Sequence, residues 1–83
     1  MLNHLQEVEI TELRGSEHEV IFVKHLLRWA TELKKMTIFF NSLVTESMAR
    51  KSYQILRRLS RREICMEFYM DKDTVMVLYV PKD

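Results

Sequence analysis

The sequence predicts an α/β protein of strand–helix repeats in the order β-α-β-α-β-β, with a mostly parallel sheet and a closing hairpin. Three observations carry this prediction. Leu5-Gln6-Glu7-Val8-Glu9-Ile10 returns, altered, 28 positions later (Val8 to Met36) as Leu33-Lys34-Lys35-Met36-Thr37-Ile38. Each copy stands before a turn and a stretch of helical periodicity, and a fainter third copy, Cys65-Met66-Glu67-Phe68, follows 30 positions on (Met36 to Met66). The last two strand patterns are separated by a polar turn, with no room for a helix between them.

Residues 6–13 read as the first strand, with Val8 and Ile10 toward the core. Arg14-Gly15-Ser16 breaks it, and Gly15 is the chain's one glycine. Ser16-Glu17-His18-Glu19 fits a capping box, in which the serine hydroxyl and the Glu19 carboxylate satisfy orphan amides reciprocally. From Val20 to Thr31, Val20, Phe22, Val23, Leu26, Leu27, Trp29 and Ala30 cover about half the circumference at 100° per residue, a breadth that suits a helix touching both a sheet and a neighbour. Residues 33–40 read as the second strand and Asn41-Ser42 as a turn. Thr45 is the expected N-cap of a second helix, Glu46 to Leu59. Its expected apolar stripe is Met48, Ala49, Ile55, Leu56 and Leu59, with Tyr53 at the edge and Arg50, Lys51, Arg57 and Arg58 toward solvent. Residues 64–70 form the third strand, with Ile64, Met66, Phe68 and Met70 on one face; Asp71-Lys72-Asp73 is the expected turn, and Thr74 to Val80 the fourth strand. Helical crossovers imply parallel neighbours. A ferredoxin-type sandwich is the rival, but it needs a strand pair between the helices, where this chain has one strand.

At 83 residues the chain is one domain, 1–83, able to bury about 60–65% of its unfolded surface. Thirteen Lys and Arg against twelve Asp and Glu, a net charge of +1, argue against a protein that binds nucleic acid by charge alone. The charge is unevenly spread. Glu7, Glu9, Glu12, Glu17 and Glu19 make the front acidic, whereas Arg50, Lys51, Arg57, Arg58, Arg61 and Arg62 make the second helix and its exit basic. A single cysteine, Cys65, excludes an internal disulfide and fits a reducing compartment, cytoplasm or nucleus. The amino end lacks the apolar run of a signal peptide, and no stretch approaches the ~18 apolar residues of a membrane span, so no membrane partner is expected.

The 28-residue spacing lies within the roughly 20 to 29 residues of leucine-rich repeats, whose units must stack to bury their apolar faces. The closing hairpin would blunt the sheet edge, as a terminal cap should. The residues also carry a family likeness. Leu5-Gln6-Glu7-Val8-Glu9-Ile10, then Leu13-Arg14-Gly15-Ser16-Glu17-His18-Glu19-Val20 and Phe22-Val23-Lys24, with Ala30 and Leu33-Lys34-Lys35-Met36-Thr37-Ile38 as the second strand, resemble the FBD domain. FBD domains occur at the carboxyl end of plant F-box proteins, after an F-box and leucine-rich repeats. The resemblance implies a parent protein that serves as substrate receptor of a cullin–RING ubiquitin ligase, in which this module faces the target or caps the repeats. It implies no catalytic residues, since the ligase chemistry lies in other subunits. This chain contains no F-box.

If the three strands run parallel in register, Glu7, Lys35 and Cys65 align, then Glu9, Thr37 and Glu67, then Thr11, Phe39 and Tyr69. These side chains lie opposite the core, on the face that solenoids use for partners. Phe39 and Tyr69 are the candidate anchors, with Lys35, Thr37, Glu67 and Glu9 around them; the alternative is an ordinary solvated face with two edge aromatics. The basic helix could hold RNA, but no aromatics interleave with its arginines, so nucleic acid is disfavoured. His18 and His25 stand about 10.5 Å apart along a helix, too far to share one ion, so no metal is expected. Cys65 has no local His to activate it. No cofactor and no enzymatic activity are expected. The reading is a non-enzymatic protein-interaction module with an unidentified protein partner, and upstream leucine-rich repeats if it belongs to a longer chain. The alternatives are a purely structural solenoid cap and a small nucleic-acid-binding α/β domain using the basic second helix.

Overall fold

Strand β2 (Lys35–Phe40) alternates half-buried and buried residues along its length, and it is flanked by parallel partners on both sides: β1 (Glu7–Leu13) and β3 (Cys65–Lys72). These elements belong to a computed structural model that describes residues 4–81. The order is β1, α1 (Glu17–Trp29), β2, α2 (Glu46–Leu59), β3 and β4 (Val75–Leu78), and the four strands lie in the sheet in chain order. β4 closes the sheet antiparallel to β3. The expected strand–helix alternation and closing hairpin are both present. Among the described residues no helix is long and apolar enough to cross a membrane.

The sequence repeat has a structural counterpart. The Gln6 carbonyl accepts from the Lys34 and Lys35 amides, and one unit later the Lys34 carbonyl accepts from the Cys65 amide at 2.8 Å. Val8, Met36 and Met66 therefore share one row, and Ile10, Ile38 and Phe68 the next. Both rows turn toward the helices, where Met36, Ile38, Phe40 and Phe68 meet Val23, Leu26 and Leu27 of α1 and Ala49 and Leu56 of α2. Burial on this scale, about 25 cal/mol per Å2 of apolar surface, is the main favourable contribution to the fold.

The helices begin as their caps predict. Ser16 accepts from the Glu19 amide while the Glu19 carboxylate takes the Ser16 amide at 2.8 Å, completing the capping box. Glu19 also accepts from the Arg14 amide. Desolvation alone would raise its carboxyl, but these backbone and hydroxyl donors together outweigh it and hold the group below the ordinary glutamate range. Thr45 caps α2 through the Met48 amide.

Four expectations need correction. Phe22 and Trp29 are not core residues: they are 57% and 52% exposed, because the buried arc of α1 is narrower and centred on Val23, Leu26, Leu27 and Ala30. On α2 the buried line is Ala49, Ser52 and Leu56, with Tyr53 packed beside it, so Met48 lies exposed. Ser52 takes the inner position because the loop before α1 presses on it: a Cβ at Gly15 would fall 2.3 Å from Ser52 Oγ, and the Gly15 backbone sits at φ +84°. The hairpin turn is Asp73-Thr74, both at positive φ as a type I′ turn requires, and β3 runs on through Lys72. Thr11 does not align with Phe39. After Ile10↔Ile38 the next pair is Leu13↔Phe40, so β1 carries one extra residue, with Glu12 at φ 60°. Asn41 holds this bulge by donating to Glu12 Oε2 at 2.7 Å, and the shift of phase carries Leu13 into the core.

Arg61, read from sequence as part of an outward basic face, instead closes α1. Its guanidinium donates to the carbonyl oxygens of Leu27 and, at 2.8 Å, of Ala30, and its Nε to Glu63 at 2.8 Å. A cation that satisfies the last carbonyls of a helix also complements its dipole. At the opposite end of the core, Tyr79 packs edge-on against Phe40 and Tyr53 and donates its hydroxyl to Glu46 at 2.6 Å. Burial first, and that hydrogen bond second, push its phenol up to about 12.

Replacing Gly15 by Ala is expected to destabilise the fold by about 2 kcal/mol or more, from backbone strain and the clash with Ser52 together. In a Ser52→Ala background the clash is gone, and about 1 kcal/mol should remain; equal losses in both backgrounds, measured by urea unfolding, would contradict the proposed contact. Arg61→Ala is expected to cost about 1–2 kcal/mol. Arg61→Lys should recover only part of that, because an ammonium lacks the planar fork that serves two carbonyls. An unchanged unfolding midpoint in Arg61→Ala would mean that water serves those carbonyls as well.

Candidate functional site

Because both helices cover one face of the sheet, the residues of opposite parity form a second face with no layer above it among the described residues. Its rows follow from the register. Glu7, Lys35 and Cys65 form the first, Glu9, Thr37 and Glu67 the second, and Phe39 and Tyr69 the third. Successive rows along a strand stand about 6.6 Å apart and neighbouring strands about 4.8 Å apart. Five of the six candidate residues, Lys35, Thr37, Phe39, Glu67 and Tyr69, occupy the two inner strands and are half-buried; Glu9, on β1, is exposed. Thr11 is displaced from the third row by the bulge.

Phe39 and Tyr69 stack with ring centroids 5.1 Å apart and planes 17° from parallel. Offset-stacked pairs of this kind contribute about 0.5–1.5 kcal/mol beyond their buried area and hold both rings in one orientation. Tyr69 is held from its other end as well, since its hydroxyl donates to Glu67 Oε1 at 3.1 Å while Lys35 Nζ lies 3.7 Å from the same oxygen. The hydrogen bond to Glu67 raises the phenol above the ordinary tyrosine range. Burial and the Glu67 charge add to this effect, and Lys35 opposes it. The result is a flat aromatic surface with a fixed polar rim.

The row expected from the sequence ends at Tyr69. In the structure Tyr69 pairs with Leu78 of β4, which is 56% exposed, and Asp71 pairs with exposed Met76. The third row is therefore Phe39, Tyr69 and Leu78, an apolar stripe across three strands. A signal for it existed: Val75-Met76-Val77-Leu78-Tyr79-Val80 is apolar without interruption. Such a run places apolar side chains on both faces of its strand, so the open face receives Leu78 as well.

Two other features belong to the helix side. A cavity of about 430 Å3 lies between the first turn of α2 and β4, lined by Glu46, Arg50, Met70, Val77, Tyr79 and Pro81 among others. On α1, exposed Trp29 stacks on His25 at 5.1 Å, and exposed Phe22 lies on the same flank. Cys65 is exposed as a free thiol on the open face.

The strand–helix order, the shared register and the bare face define an α/β repeat-type module with an aromatic stripe on its open sheet. The family model of the FBD domain matches residues 1–38, which hold β1, α1 and the first part of β2. Over that stretch the chain is similar to FBD domains, as its motifs imply, and the match is consistent with an FBD domain. FBD domains are, as a family, non-catalytic protein-interaction modules. No curated protein and no solved structure matches the chain.

Replacing Glu67 by Gln should return the Tyr69 phenol toward the ordinary tyrosine value near 10, since the charged acceptor that favours its protonated form is lost. An NMR titration of labelled tyrosines reads this directly. An unmoved Tyr69 titration would mean that Glu67 does not hold the ring.

Proposed function

We propose that this chain is a non-enzymatic protein-recognition module which holds a protein target on the open face of its sheet. The observation that supports this reading most is the Phe39–Tyr69 stack continued by Leu78, three adjacent apolar side chains on a face that no helix or strand among the described residues covers. Large rigid side chains of this kind dominate the energetics of protein interfaces. Through the FBD resemblance, the wider role is the target-facing end of an F-box-type ubiquitin-ligase substrate receptor of plant origin, working in the cytoplasm or nucleus. The F-box and the leucine-rich repeats of such a receptor would lie in sequence upstream of Met1.

A second reading, a structural cap on a repeat array, is favoured by one observation: Phe22 and Trp29 are more than half exposed on α1. A preceding strand–helix unit would cover that flank as α2 and α1 cover each other. The two readings use different faces and are compatible in one protein.

Selection of a random peptide library displayed on phage against the whole chain tests the recognition reading. Enriched peptides are expected to lose binding about tenfold or more with Phe39→Ala or Tyr69→Ala while circular dichroism and unfolding midpoints show both variants folded. Peptides that bind both variants as well as the parent chain would overturn the assignment of the open face. Enrichment of no peptide would favour the cap.

A further inference from the structure

The near-neutral total charge conceals two faces of opposite sign. On the open face, Glu7, Glu9 and Glu67 stand in two adjacent rows against one cation, Lys35, and that lysine is already engaged by Glu67. Among the described residues, neither Glu7 nor Glu9 forms an ion pair. The cations gather on the other side. Arg57 lies over the Tyr53 ring on α2, Arg58 and Lys51 are exposed on the same helix, and Arg61 is spent on α1. A phosphate backbone approaching the open face would meet carboxylates.

Resting on the recognition reading, we infer that the occupant of the open face is a basic polypeptide segment with an apolar anchor. The anchor sits on Phe39, Tyr69 and Leu78, and lysine or arginine side chains reach the Glu9 and Glu7 rows. Charge complementarity decides the occupant. The anchor stripe alone would accept any apolar group, but it ends about 6.6 Å from the Glu9–Glu67 row, one two-residue step along a strand. A segment that fills the stripe and continues toward β1 must place its next side chains over carboxylates. Acidic segments are repelled there, and neutral ones leave the two glutamates facing desolvation without a partner.

The test uses the displayed peptides already described. Among those that depend on Phe39, lysine and arginine should be enriched over aspartate and glutamate on one side of the apolar residue. A synthetic copy of the most enriched peptide should weaken about tenfold with Glu7→Lys and Glu9→Lys combined, and likewise with rising salt. Both substituted positions are exposed, so the variant should keep its unfolding midpoint. Phe39-dependent peptides without a basic excess, or with affinity indifferent to the two reversals, would overturn this inference and leave open-face recognition standing. Peptides insensitive to Phe39 would overturn both. Self-association of the chain in sedimentation, lost on reversing Arg58 and Lys51, would overturn the separate partner in favour of a second copy, its basic helix seated on the acidic sheet.

Discussion

Parallel strands cannot be joined by a tight turn, and this constraint shapes the whole molecule. Each return from β1 to β2 and from β2 to β3 must travel as a helix. Both helices lie on the same face, so burial is one-sided: β2 alternates buried and half-buried along its length. Everything distinctive about the other face follows. Its side chains are placed by the same hydrogen bonds that order the core, yet no layer among the described residues covers them. Rigidity and availability are thus combined in Phe39 and Tyr69, whose positions are set from beneath by Ile38 and Phe68.

The backbone order was legible because it rests on local chemistry. The capping box at Ser16, the Thr45 cap and the alternation of β2 each involve residues within a few positions of one another. The three-strand register was legible too, since the sequence repeat is the register. What failed were features set by distant partners. The bulge at Glu12 depends on Asn41, 29 positions away, and nothing around Thr11 announces it. Met48, expected in the apolar stripe, lies exposed while Ser52 is buried, because Gly15, from a loop far back in the chain, packs against that side of α2. Phe22 and Trp29 looked like core because hydrophobicity alone does not say whether a covering neighbour lies within the same chain.

Among the candidate site residues, the aromatic pair was readable and its extension was not. The rows were projected through three parallel strands, and the antiparallel partner that brings Leu78 beside Tyr69 obeys a different pairing rule. The basic residues illustrate the converse. A cluster of arginines in sequence suggested one solvated surface, whereas the structure divides them: Arg61 serves the end of α1, Arg57 rests on Tyr53, and Arg50 meets Glu46. Composition counts charges, but only the fold assigns them to faces.

The turn at Asp73-Thr74 has a thermodynamic consequence for recognition. A β-branched residue held at φ 66° stores about 1–3 kcal/mol of backbone strain, and it does so at the turn into β4, an edge strand that pairs with β3 alone. That strain lowers the free energy of local opening for β4 relative to the three parallel strands. Leu78 therefore belongs to the segment whose order is easiest to lose, while Phe39 and Tyr69 belong to the segment that loses it last. A ligand spanning all three would oppose that local opening as it binds, tying β4 to the firmer strands. The stripe is thus graded, firm at its centre and entropically adjustable at its rim.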